Sequence, residues 1–395
     1  MPRPIEALIH VDSLAHNLNR ARASAPDAKV WAVVKANAYG HGIERAFMGL
    51  QGADGFALLD LDEAQKIRDL GWRGPILLLE GCFEARDLEL CSRLNLWHVV
   101  HREAQIDWLA AHKTSWPHRV FLKLNSGMNR LGFEPVAFRN AWMRLSGLTQ
   151  VDEISLMTHF ADADAGDSHR PADLDAPADR PPANIARQLA AFESATAGLA
   201  GERSLANSAA TLRYAGAWPA IRGDWVRPGI MLYGSSPDHA ANTAAHWQLL
   251  PTMTLRSHLI SVQNLQRGDT VGYGSTFTAE APMKVGVVAC GYADGYPRHA
   301  PTGTPMLVNG VRTRLVGRVS MDMLTVELPA DQPAAVGDEV TLWGRGPRDS
   351  MLCIDDVAAA AGTIGYELMC AVAARVPARA IEPAAGTVPV QQSSI

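Results

Sequence analysis

The stretch "VWAVVKANAYGHGIERAFMGL", residues 30–50, decides the fold. Its opening, "VWAVVK", is a short continuous apolar run, the pattern of a strand buried on both faces. Its close, "IERAFMGL", has helical spacing. Lys35 ends the apolar run, just before a stretch of Asn, Tyr, Gly and His. Desolvating an ammonium is costly, so a lysine in such a place needs a reason. The point where a strand gives way to a helix is also where α/β enzymes keep their chemistry.

The same unit recurs along the chain. Apolar runs fall at 30–35, 55–59, 75–79, 96–100, 119–124, 153–160, 204–208 and 225–230. Helical patterns such as "LDEAQKIRDLG" and "PVAFRNAWMRLSG" lie between most of them. Eight β/α units predict a (β/α)8 TIM-like barrel over residues 11–238, with a doubly wound open sheet as the alternative. From about residue 239 the strands shorten, alternate in polarity and are broken by glycines. Asn309-Gly310 between two apolar runs marks a tight hairpin. Residues 1–10 and 239–395 are therefore read as a mostly β C-terminal domain, with one helix at "IDDVAAAAGTIG". The Pro- and Asp-rich stretch 164–183 lacks periodicity and reads as an exposed loop at the barrel mouth.

Composition narrows the function classes. Of the 395 residues, 47% are hydrophobic and 19% charged, which suits an ordinary globular chain with a large core. A net charge of -5 argues against nucleic acid as a partner. Glu6 and Asp12 interrupt the N-terminal apolar residues, so no signal peptide is expected. No apolar run approaches the roughly 18 residues that cross a bilayer. The five scattered cysteines read as packed thiols, and a cytoplasmic setting is expected. No metal site is expected.

In a barrel the C-terminal strand ends meet at one mouth. Read in order, those ends give Lys35 and Tyr39, Lys123 with Arg130, His159, Asn207 and Ser208, then Arg227 with Gly229 and Ile230. Cations and hydrogen-bond donors dominate this set, which suits an anionic ligand. Ser208 and Gly229 belong to the seventh and eighth units, where barrels often hold a phosphate on backbone N–H groups. A phosphate site beside a lysine amine points to pyridoxal 5'-phosphate, with Lys35 as its Schiff-base partner.

"AVVKANAYGHG" is similar to the cofactor-attachment signature of the alanine racemases. The likeness runs on through "KLNSGMNRLGF", "THFADAD", "ANSAAT", "RPGIMLYG", "GYGSTF", "GYADGYPR", "GRVSMDM" and "GTIGYE". Each motif is weak alone; their order and spacing together are specific. The resemblance implies interconversion of L-alanine and D-alanine through a pyridoxal-phosphate external aldimine. It implies two bases, Lys35 and a Tyr273 contributed by the partner subunit of a homodimer. A free phenol titrates near pH 10, so a tyrosine base needs cationic neighbours or hydrogen bonds.

The resemblance also assigns the remaining roles. Tyr39, Ser208, the Gly229 and Ile230 backbone and Tyr366 match the phosphate set, with Asn207 beside them. Arg227 matches the partner of the pyridine nitrogen and His159 its hydrogen-bonded support. Arg130 matches a contact to the ring hydroxyl and the substrate carboxylate. Met321, with Asp322 beside it, matches a substrate contact, and Tyr292 narrows the pocket. Lys123 matches a lysine that is often carbamylated. Asn125 departs from the pattern, standing where an aspartate is expected. Without the resemblance these residues have plainer readings: a surface Lys35, a half-buried Tyr273 in a glycine-rich turn, a core His159, an ion-paired Arg227. The rival functions are a broader-specificity racemase, a decarboxylase of the same architecture and a non-enzymatic cofactor carrier.

Overall fold

The chain's first strand, β1 (Glu6–His10), precedes the run of eight that the apolar pattern announced. Those eight are β2 (Lys29–Val33), β3 (Gly55–Leu58), β4 (Ile76–Leu78), β5 (Trp97–Val100), β6 (His118–Lys123), β7 (Val151–Met157), β8 (Arg203–Ser204) and β9 (Trp225–Val226). They pair in parallel, each with the next, and β9 closes onto β2. This computed structural model describes residues 3–114, 116–165, 181–329 and 333–382. The stretch 164–183 thus lies mostly outside the described residues. The open-sheet alternative is excluded by the closure.

Aromatic side chains fill one end of the barrel. Trp31, Trp97, Phe121 and Trp225 converge from four strands, with Trp31 stacked on Trp225 at 4.1 Å and edge-on to Trp97 at 5.5 Å. A Cβ at Gly55 would lie 2.2 Å from the Trp31 ring, so the neighbouring strand must carry glycine there. Truncating such a buried tryptophan costs about 3–5 kcal/mol. This plug leaves the polar residues of the opposite strand ends to form a site.

The chain divides into two compact units, 17–249 and 1–16 with 250–395. The sequence reading drew these lines earlier, at 10/11 and 238/239. The second unit is built on the long strand β10 (Met253–Leu265). This strand pairs antiparallel with β1, with Glu339–Arg345 and with Met283–Val288. Its register shifts between Leu259 and Ser261 as it passes from one partner to the other. β1 also pairs in parallel with Ala378–Ile381. Asn309 (φ 49°) and Gly310 (φ 82°) turn Pro305–Val308 into Val311–Arg314, both at the positive φ that a two-residue hairpin requires.

The strands at Ile76–Leu78 and Trp97–Val100 fall within a residue of expectation. Three others stop early: β7 at Met157, β8 at Ser204 and β9 at Val226. Beyond these ends a few backbone bonds persist, such as Arg227 N–H to the Ala206 carbonyl at 2.9 Å, and side chains join them. Arg227 donates to the Thr158 and Leu205 carbonyls, and Gly229 N–H to Ser208 Oγ. No helix among the described residues is long and apolar enough to cross a membrane.

Candidate active site

Lys35 lies two residues beyond the last residue of β2, at the start of a turn of reversed hand. Ala36, Asn37, Ala38 and Tyr39 all have φ between 51° and 55°, and Gly40 follows at 79°. For L-residues the left-handed conformation costs about 1–2 kcal/mol each, so four in succession must be held from outside. The holds are visible. Asn37 N–H donates to Glu63 Oε1 at 2.5 Å, Gly42 N–H to the Asn37 carbonyl at 2.9 Å, and Ile43 N–H to Asn37 Oδ1 at 3.1 Å. Tyr39 is buried, its ring stacked on Tyr233 at 4.4 Å. Lys35 itself is half-buried.

Cations gather around His159. Arg227, Lys123, Arg130 and Lys35 all act on its imidazole, whose pKa burial first and then these charges hold well below the ordinary value. Arg227 is buried, and burial pulls its guanidinium down to about 9, so it stays charged at neutral pH. Its partners are the Ser204 hydroxyl at 2.6 Å, the Thr158 and Leu205 carbonyls at 2.6 and 3.2 Å, and His159 Nδ1 at 3.3 Å. A guanidinium only donates, so Nδ1 accepts and the neutral ring carries its proton on Nε2.

Lys123 ends β6 and is buried. Its pKa falls to about 8, chiefly through burial, then through Arg227, Arg130 and Lys35, with Glu80 opposing. Arg130 is exposed and follows a turn closed by Asn125. Asn125 Oδ1 accepts from the Gly127 and Asn129 N–H groups at 3.2 and 3.0 Å.

A cradle forms where the seventh and eighth strands end. Ser208 Oγ accepts from Gly229 N–H at 2.9 Å and lies 3.4 Å from Met231 N. A Cβ at Gly229 would sit 2.4 Å from the Tyr39 hydroxyl, so only glycine lets that hydroxyl approach the backbone. Ile230 opens a short 3-10 turn directly after it. Asn207 caps the helix Ser208–Arg213 through its Oδ1, and its Nδ2 lies 3.5 Å from His159 Nε2.

Lys35, Tyr39, Lys123, Arg130, His159, Asn207, Ser208, Arg227, Gly229 and Ile230 thus belong to one unit. Tyr273, Tyr292, Met321, Asp322 and Tyr366 belong to the other. In that unit Tyr273 opens a short 3-10 turn and is 73% exposed, so its phenol is presented outward. The loops of Tyr292 and Met321 are laced together: Tyr292 N–H donates to the Ser320 carbonyl and Ala293 N–H to that of Met321, both at 3.0 Å. Asp322 is ion-paired to Arg375 at 2.7 Å. Tyr366 lies half-buried on the helix Gly365–Ala371.

Sequence reasoning missed Glu80, Glu63, Thr158 and Ser204. Glu80 ends an apolar run just as Lys35 does, and that same signal could have found it. Thr158 contributes a carbonyl, which any residue could supply, so no sequence signal marks it.

Family models agree with this layout. Residues 9–237 match the alanine racemase N-terminal domain and residues 252–380 its C-terminal domain. The alanine racemase of Methylibium petroleiphilum is 70% identical over 96% of this chain and 99% of its own length. That of Paracidovorax citrulli is 68% identical over 95% and 99%. Among solved structures, the biosynthetic alanine racemase of Pseudomonas aeruginosa has a TM-score of 0.86 at 46% identity, covering 96% of this chain and 99% of that one. The Acinetobacter baumannii enzyme gives 0.84 at 35%, covering 96% and 100%. All four bear the name alanine racemase, which does not favour the broader-specificity alternative. With eight parallel strands closed beneath a cationic mouth and both domains matched nearly end to end, the chain belongs to the alanine racemase family and interconverts the two enantiomers of alanine.

Proposed function

We propose that the enzyme works with pyridoxal 5'-phosphate attached to Lys35, using Lys35 and Tyr273 as bases on opposite faces of the substrate. One observation carries this reading: four cations, Arg227, Lys123, Arg130 and Lys35, act on His159, while Glu80 opposes them at Lys123. Such a cluster calls for an anion of more than one charge. The donor set fits a phosphate. Two hydroxyls, Tyr39 and Ser208, meet the Gly229 backbone where a Cβ would fill the space. The Ile230 backbone and Asn207 lie at this end of the same unit, and the family resemblance assigns Tyr366 to the phosphate as well.

When bound, the cofactor's ring accepts the electron pair that Cα retains on losing its proton. Lys35 Nζ removes or returns that proton on one face, and the Tyr273 phenol does so on the other. Racemisation needs this pair because a single base would return the proton to the face it left. Arg227 serves the ring nitrogen with a donor that keeps its own proton, and His159 fixes its direction. Arg130 and Met321 hold the substrate carboxylate, while Tyr292 and Asp322 limit the pocket. The lowered pKa of Lys123 supplies the neutral amine that carbamylation needs, and the resulting carbamate would steady Arg130.

The working unit in this reading is a homodimer in which Tyr273 is contributed by a second copy. The exposure of Tyr273, Tyr292, Met321, Met323 and Ile364 on one unit supports it. The likeness to the biosynthetic Pseudomonas enzyme favours supply of D-alanine over catabolism of L-alanine, and the proposed use of that supply is peptidoglycan, made from the cytoplasm.

L-alanine incubated with the enzyme in deuterated water tests the whole reading. Circular dichroism should decay to zero while Cα gains deuterium, and Lys35→Ala should abolish both the visible absorbance and the decay. A Lys35→Ala protein that still racemises alanine overturns it.

A further inference from the structure

Asp60 and Glu63 stand at the N-cap and third positions of the helix Leu61–Asp69, the spacing of a capping box. Asp60 plays its part and accepts from Asp62 N–H at 2.7 Å. Glu63 does not. Its carboxylate leaves its own helix and takes the N–H of Asn37 at 2.5 Å, in the middle of the left-handed turn. Its second oxygen, Oε2, is buried without a hydrogen-bond partner. A carboxylate oxygen kept from water and from any donor is unfavourable, so the side chain is held in this pose for the contact its other oxygen makes. Burial first, then Asp60, push its carboxyl above the ordinary value, with the Asn37 N–H and Lys66 opposing.

We propose that Glu63 is a positioning residue for the racemase reaction: it clamps the left-handed turn 36–39 and thereby sets both Lys35, at the head of that turn, and Tyr39, at its foot. Glu63 touches neither reacting group. It acts through Asn37, which passes the constraint forward by accepting from Gly42 and Ile43. This inference rests on the reading of Lys35 given above.

The test compares Glu63→Ala and Glu63→Gln in the purified holoenzyme. Glutamine keeps an acceptor oxygen for Asn37; alanine does not. Amide hydrogen exchange is followed by mass spectrometry on peptides spanning the turn, alongside kcat and KM for L-alanine. In Glu63→Ala, exchange at the turn should rise by about tenfold or more, because a hydrogen bond to a charged group is lost. Its kcat should fall with KM little changed, and exchange elsewhere should stay as in the parent. Glu63→Gln should restore both exchange and kcat. Unchanged exchange in Glu63→Ala overturns the clamp, as does a Glu63→Gln protein no better than Glu63→Ala. Faster exchange with unaltered kcat overturns the positioning role. Parent and variants are compared in the same cofactor-loaded form, and a failure of the Lys35 reading shows separately, as racemisation by Lys35→Ala.

Discussion

One terminal nitrogen of Arg227 donates to His159 Nδ1 across 3.3 Å while also lying 2.6 Å from the Thr158 carbonyl and 3.2 Å from that of Leu205. Lysine offers the same charge without the planar fork. In Arg227→Lys these acceptors lose partners inside a buried site. Stability should fall by about 2–3 kcal/mol, read from urea unfolding, and racemisation by more than about tenfold. An Arg227→Lys protein as stable as its parent would refute the argument.

Gly229→Ala should damage cofactor binding. The added Cβ lies 2.4 Å from the Tyr39 hydroxyl and 3.3 Å from its ring carbon. Tyr39 cannot swing aside easily, because it is buried against Tyr233. Overpacking of this kind costs about 1–3 kcal/mol. Equilibrium titration with pyridoxal phosphate should show weaker binding, and adding Tyr39→Phe should recover part of the melting temperature lost. Unaltered binding in the single variant counts against the cradle.

Tyr273→Phe should leave the fold and the visible absorbance intact, because the side chain is 73% exposed. Removing one acid–base group should slow racemisation by about a hundredfold or more. Exchange of Cα with deuterium from the L-enantiomer and from the D-enantiomer should become unequal, since one face loses its base. Equal losses for both enantiomers would point elsewhere for the second base.

Acid should destabilise the barrel through His98 and His118. They share a hydrogen bond of 3.3 Å in which one ring must accept, and burial first holds their pKa values at about 3 and about 4. The unfolded chain protonates both near 6.5, so between that pH and about 4 it binds more protons than the folded state. Stability is therefore lost as pH falls through this window. His98→Gln with His118→Asn should flatten the loss, measured by urea unfolding from neutral pH downward. A doubly substituted protein with an unchanged slope sinks the assignment.

The barrel was legible because most of its strands are short apolar runs, β8 (Arg203–Ser204) being the polar exception, and the hairpin at Asn309-Gly310 because those residues tolerate positive φ. Lys35 was legible as a charge at the end of such a run. The reversed turn after it was not. Ala36 and Ala38 favour the right-handed helix, and what overrides them is a carboxylate 26 residues away, at Glu63. Strand ends were overread at "THF", "LANS" and "RPGI", where β-like composition continues but only a few backbone bonds persist and side chains join them. The roles of Tyr273 and Met321 came from resemblance alone, since an exposed tyrosine beside glycines has no signature of its own.

β1 has two strand partners, β10 and Ala378–Ile381. During synthesis it leaves the ribosome about 240 residues before β10 and about 370 before Ala378–Ile381. At 5–20 residues per second that is roughly 10–50 seconds until β10 emerges and longer for the last strand. The barrel's strands all lie between β1 and β10 in the chain and can pair as they appear. The order of translation therefore asks the nascent chain to keep one apolar segment, "ALIH", unpaired while a whole domain folds behind it. Chaperone dependence should track that segment rather than the catalytic unit.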